Sequence, residues 1–90
     1  MTWKVELHDD ARRDLRKLDP QVVRRILRFL KDRVEGADDP RCLGEALKGS
    51  RLGDLWRYRV GDYRVVVDIR DGLLVVLVVH IAHRSQVYRD

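Results

Sequence analysis

Apolar and polar positions alternate along Trp3-Lys4-Val5-Glu6-Leu7, the period of a half-buried strand. The period then lengthens. Ala11, Leu15 and Leu18 recur at helical spacing between Arg12, Arg13, Arg16 and Lys17, and Asp9 and Asp10 stand where they can cap that helix. Asp19-Pro20 stops the first helix and starts a second, with aspartate as N-cap and proline at the first helical position. Val23, Ile26, Leu27, Leu30 and Val34 make the next apolar stripe, which predicts a helix from Pro20 to about Val34, closed by Gly36. Ala37 to Ser50, broken by Asp38-Asp39-Pro40 and Gly44, reads as a linker.

Strand periodicity returns in Trp56-Arg57-Tyr58-Arg59-Val60-Gly61-Asp62-Tyr63-Arg64, where Gly61-Asp62 signals a two-residue hairpin turn. A turn of that length sets Val60 opposite Tyr63 and Arg59 opposite Arg64. Side chains alternate along strands, so Arg57, Arg59 and Arg64 share one face while Trp56, Tyr58, Val60, Tyr63 and Val65 point to a core. Further on, Val67 and Ile69 face the core, and Val66 and Asp68 face outward. Asp68 lies diagonally across from Arg57 and is expected to orient it. Asp71-Gly72 is a second tight-turn signal before Leu73 to Val79, apolar at every position, as in a central strand covered on both sides. His80 continues with the parity of the core face, which predicts a packed, hydrogen-bonded histidine. The expected fold is therefore α+β, one domain over residues 1–90. An N-terminal strand and a two-helix hairpin precede a three-stranded antiparallel meander, with the helices on one face of a curved sheet and the arginines on the other.

Ninety residues with 44% hydrophobic content suffice for a core without disulfide or metal staples. Cys42 is the single cysteine, which excludes an intrachain disulfide and a cysteine-based zinc site. Met1 to Leu7 carries a lysine and a glutamate and does not read as a signal peptide, and the longest apolar run is of strand length. A cytoplasmic protein without a membrane partner is expected. The formal charge of +4 and a pI near 9.6 favour an anionic partner, and the opposed arginines sharpen that reading. Directly opposed like charges destabilise a sheet, so a chain that keeps them is expected to bind something rich in negative charge. Arg24, Arg25, Arg28 and Lys31 on the second helix read as solvated charges, unless they adjoin the hairpin.

No Walker loop, dinucleotide glycine pattern or HExxH motif is present. His83 stands where the last strand should end, and either a strand-end hydrogen bond or acid–base work would suit it. At the tail comes His83-Arg84-Ser85-Gln86-Val87-Tyr88-Arg89. With the Ala-Arg-Arg-Asp-Leu-Arg-Lys-Leu helix, Leu47-Lys48-Gly49 and the Gly-Asp-Tyr-Arg turn, in this order, nearly the whole chain resembles the RelE-type toxins of the RelE/ParE bacterial toxin–antitoxin superfamily.

The resemblance implies the RelE-like small-ribonuclease fold and an endoribonuclease that needs neither metal nor cofactor. Such an enzyme enters the ribosomal A site and cuts translated messenger RNA by attack of the 2′-hydroxyl on the adjacent phosphate. Arg57 and Arg59 match the family's two basic residues before the turn, Arg64 the arginine just after it, Arg84 the arginine ending the last strand, and Tyr88 the tail tyrosine. Arg59, Arg64, Arg84 and Tyr88 are thus the expected catalytic residues. Arg64 and Arg84 would grip the scissile phosphate, since guanidinium groups pair with phosphate through two parallel hydrogen bonds. Arg57 would position RNA, helped by backbone contacts from Lys48 and Arg51. Tyr88 would stack on a base or bond the 2′-hydroxyl. One departure bears on mechanism: the family's hairpin lysine is arginine here, and Arg59 is a poor general base. His83, a Tyr88 phenolate or a ribosomal RNA group could accept the proton. The implied partners are a cognate antitoxin, the ribosome with its message, and operator DNA through the antitoxin complex. The rival reading is a ParE-like inhibitor of DNA gyrase without nuclease chemistry; a third is a remnant that binds only antitoxin and operator.

Overall fold

A computed structural model describes residues 2–47 and 55–86. β1 (Lys4–Leu7) leads into α1 (Asp9–Arg16) and α2 (Pro20–Phe29). The cap of α1 is His8, whose Nδ1 accepts from the Asp10 N–H at 3.1 Å. Asp9 and Asp10, expected as caps, occupy the first turn, where the helix dipole favours negative charge. Asp19 caps α2 as expected, accepting from the Gln21 N–H at 2.9 Å.

α2 continues as a π-helical turn over Leu30–Val34, in which the Glu35 N–H reaches back to the Leu30 carbonyl at 3.0 Å. The reason is legible in the core. Ile26, Leu30 and Val34 are all buried, and a strict four-residue spacing drifts off the face of a straight α-helix. The widened turn keeps Val34 on the sheet. Leu27, placed in the buried stripe by the sequence, is instead 40% exposed, and Val22 and Phe29 pack against the core with it turned away.

The expected linker contains structure. Pro40–Leu43 forms a 3-10 turn capped by Asp39, and Glu45–Ala46 forms β2. Gly44 lies so close to the next strand that a Cβ there would stand 2.6 Å from the Arg57 carbonyl oxygen. Only glycine permits that approach. β3 (Leu55–Val60), β4 (Tyr63–Arg70) and β5 (Val75–His83) follow, and the five strands are ordered β1-β5-β4-β3-β2. β1 runs parallel to β5 and the other pairings are antiparallel. The β3–β4 register is the expected one, with Val60 opposite Tyr63, Arg59 opposite Arg64, and Gly61 at φ +59°.

Three expectations for β4 and β5 fail for local reasons. The connection after β4 is a 3-10 turn, Asp71–Leu73, closed by Leu74 at φ +51°, so the strand begins at Val75 and Leu73 is 69% exposed. Val66 opposes His80 while Val67 opposes Val78, which leaves Val79 as a bulge. The bulge flips the alternation: Val76, Val78 and Ile81 are the buried positions, and His80 falls on the face away from the core. Val66, expected outward, keeps that side of the strand but is only 6% exposed, between Arg57 and His80 in register.

Both helices lie on the other face. There Ala11, Ile26, Leu30 and Val34 close over Tyr58, Val65, Val67, Val76 and Val78. Phe29 meets the Tyr58 ring edge-on at 5.7 Å, and the Tyr58 hydroxyl donates to the Pro40 carbonyl at 2.9 Å. Where β1 ends, α1 takes over its edge of β5: the Asp14 carboxylate accepts from the Ile81 N–H at 2.9 Å and sits 2.7 Å from His80 Nδ1. Arg41 pairs with Asp71 through both guanidinium ends, tying the 3-10 turn to the β4–β5 connection and holding the Asp71 carboxyl below its ordinary range. Among the described residues no helix is long and apolar enough to cross a membrane.

Candidate active site

The β3–β4 hairpin, β2 and the end of β5 gather the arginines named from the sequence. Arg57 is half-buried on the outer face and donates from Nη2 to Glu45 Oε2 at 3.0 Å. Its Nε is buried and makes no hydrogen bond among the described residues. Arg59, two positions on and exposed, directs Nη2 to the other oxygen of the same carboxylate at 3.7 Å. Glu45 thus bridges both arginines of β3. Asp68 does not orient Arg57; it accepts from Arg70 Nε at 3.2 Å. A neighbour two residues away on the same strand reaches it more easily than one diagonally across.

Arg64 opposes Arg59 in register, yet its guanidinium folds back along the turn, donating from Nη1 to the Tyr63 carbonyl at 3.1 Å and the Gly61 carbonyl at 3.3 Å. The expected clash of like charges is relieved this way, by carbonyl dipoles on one side and Glu45 on the other. Arg84 opens a 3-10 turn after β5, where its N–H bonds the Asp62 carbonyl at 2.7 Å and its side chain lies 3.8 Å from the Asp62 carboxylate. The hairpin turn therefore contacts both Arg64, from β4, and Arg84, from the 3-10 turn after β5.

His83 makes contacts at the end of β5. Its Nδ1 accepts from the Ser85 N–H at 3.2 Å and lies 2.8 Å from the Ser85 hydroxyl, while its ring stands edge-on to Tyr63 at 5.3 Å. Lys48, Arg51 and Tyr88 lie outside the described residues. Among the described residues no three His, Cys, Asp or Glu side chains gather as a metal site would require.

Around the hairpin from Arg64 runs a groove of about 440 Å³ between α2 and β3. Arg25, Arg28, Arg33 and Arg59 line it with Asp32, over an apolar floor of Phe29 and Val60. Arg25 reaches the turn itself: a Cβ on Gly61 would stand 2.9 Å from its Nη1. Arg25 and Arg28 are thus part of the hairpin's cationic surroundings rather than isolated solvated charges. Of the arginines named as catalytic from the sequence, the groove contains only Arg59. The sequence reading also missed Glu45, which it left in a linker. The alternation Glu45-Ala46-Leu47 after a glycine was the available signal, too short to stand out.

This architecture and this clustering define a toxin of a type II toxin–antitoxin system: the model for the ParE toxin of such systems matches residues 5–88, and the chain belongs to the RelE/ParE family. Toxin RelE of Mycobacterium tuberculosis is 36% identical over 87 residues, covering 97% of this chain and 87% of its own. Among solved structures, the RelBE2 toxin–antitoxin complex of the same organism superposes with a TM-score of 0.83 at 27% identity, over 96% of this chain and 95% of that one. The archaeal RelE–RelB complex from Pyrococcus horikoshii gives 0.74 at 31% identity, over 97% of this chain and all of that one, 100%.

Proposed function

We propose that this toxin is an endoribonuclease that cuts translated messenger RNA in the ribosomal A site. The observation that carries the reading is the gathering of Arg57, Arg59, Arg64 and Arg84 around one hairpin. In the reaction, the ribose 2′-oxygen forms a bond to phosphorus as the bond to the 5′-oxygen breaks. The products are a 2′,3′-cyclic phosphate and a 5′-hydroxyl end. Charge grows on the phosphate oxygens as this proceeds, and fixed guanidinium groups stabilise it. Arg64 and Arg84 take that role, with Arg59 beside them. The pairing of Arg84 with Asp62, long and solvent-exposed, costs little to give up for a phosphate. Arg57, anchored by Glu45, positions the strand. Lys48 and Arg51 add backbone contacts, and Tyr88 stacks on a base.

The site of action is the cytoplasm, where messages are translated. The physiological partner is a cognate antitoxin. The groove beside α2 suits an acidic, amphipathic segment of such a partner, its apolar side chains over Phe29 and Val60 and its carboxylates on Arg25, Arg28 and Arg33. Operator DNA would be reached through that complex.

Primer extension on messages from cells expressing the toxin tests the reading. Cuts confined to translated codons are expected. Intact messages with gyrase-dependent DNA breaks would overturn it in favour of the gyrase inhibitor.

A further inference from the structure

We propose that the paired rings of Tyr63 and His83 form a stacking subsite for an RNA base beside the cut. This rests on the nuclease reading above and deepens it, adding a further base contact to that of Tyr88. The two residues are partners in register at the ends of β4 and β5, and their rings meet edge-on, 5.3 Å apart at 87°. In such a pair the edge of one ring meets one face of the other. Whichever ring presents its edge, Tyr63 leaves a face of His83 uncovered.

The pair is held in place from both ends. Tyr63 packs against the hydrophobic core, and His83 carries the aromatic surface on from it to the partly exposed end of the sheet. The Ser85 N–H at 3.2 Å and the Ser85 hydroxyl at 2.8 Å engage Nδ1, which fixes the rotation of the imidazole. A ring already ordered loses little entropy when a base settles on it. Phosphate-binding groups adjoin it. Arg64 Nη1 donates to the Tyr63 carbonyl at 3.1 Å, and Arg84 follows His83 directly, its N–H on the Asp62 carbonyl at 2.7 Å. A phosphate held by these arginines places the adjoining nucleoside at the rings. Unpaired RNA bases stack on histidine and tyrosine, and every base has a π-face to offer. The subsite therefore grips the strand without selecting one base.

The test titrates the full-length toxin, in excess, against ribosomes carrying a message under single-turnover conditions. Stacking on one base is worth roughly 5- to 150-fold in affinity, so His83→Ala should raise the toxin concentration for half-maximal cutting by at least about fivefold. The rate at saturation should stay within about threefold of wild type, since the contact sets affinity rather than the chemical step. His83→Leu, which keeps bulk without a π-face, should behave as His83→Ala does. His83→Phe keeps a flat ring and loses the ionisable nitrogens, and it should cut as wild type does. A message lacking one base beside the cut should bind wild type more weakly, and His83→Ala should add little to that loss, because both changes remove the same contact. Losses that multiply for a base missing on either side of the cut would overturn the proposal, as would an unchanged half-maximal concentration in His83→Ala and His83→Leu. A His83→Phe toxin as slow at saturation as a slowed His83→Ala would make the imidazole a proton carrier and overturn it too, with the nuclease reading intact. A wild-type toxin that leaves messages whole would overturn both.

Discussion

On the helix side of the sheet, Tyr58, Val65, Val67, Val76 and Val78 are closed off completely by α1 and α2. On the opposite side the same strands carry Arg57, Arg59, Arg64 and Arg70, and no helix among the described residues covers them. The two faces are built by different rules. Burial decides the first, where apolar area removed from water contributes in proportion to its extent. On the second, each guanidinium is held by a nearby carboxylate or carbonyl, an arrangement worth little to stability when exposed but able to exchange its partner for a phosphate. Stability and chemistry are thus carried by opposite sides of strands six to nine residues long.

Substitutions should separate the two faces. The largest loss of stability belongs to the covered side. Ile26→Ala leaves a cavity beneath α2 and should lower the unfolding free energy by about 2–5 kcal/mol in denaturant titrations. Gly44→Ala attacks the seam between the faces. The added methyl meets the Arg57 carbonyl and should cost about 1–3 kcal/mol, and β2 should lose protection in hydrogen exchange. Tyr58→Phe removes the hydroxyl bond to Pro40 and should cost about 1 kcal/mol.

Tyr58 also gives the covered face a pH signature. Burial, and secondarily the charge of Asp39, push its hydroxyl from the ordinary 10 up to about 12. The folded protein keeps this proton where the unfolded chain releases it. The stabilisation is therefore complete below pH 10 and is lost as pH rises from about 10 to about 12. Denaturation followed across that window should fall more steeply for wild type than for Tyr58→Phe. The smallest effect on stability is expected on the outer face, where Arg64→Ala should change it by less than about 1 kcal/mol.

The same contrast explains what the sequence could reveal. Alternation is a long-range pattern, so the hairpin register, the arginine face and the covered strands were legible from Trp56 to Ile69. Asp19-Pro20 announced α2 equally well. The features that stayed hidden depend on single residues out of period. A bulge at Val79 inverted the parity of His80, a π-helical turn kept Val34 on the sheet, and Leu74 in a left-handed conformation took a turn assigned to Asp71-Gly72. Ion-pair partners were the least legible. Glu45 outcompetes Asp68 for Arg57 because a short edge strand, too brief to show a period, brings it alongside.

The central claim is that the outer-face arginines act on phosphate while the covered face keeps the fold. Its most direct measurement is the rate at which Arg64→Ala and Arg84→Ala cut a message in programmed ribosomes, read beside their unfolding curves. Each variant should lose at least about 100-fold in rate, as removal of one transition-state donor does elsewhere, with its unfolding midpoint nearly unchanged. Two folded variants that cut at the wild-type rate would contradict it.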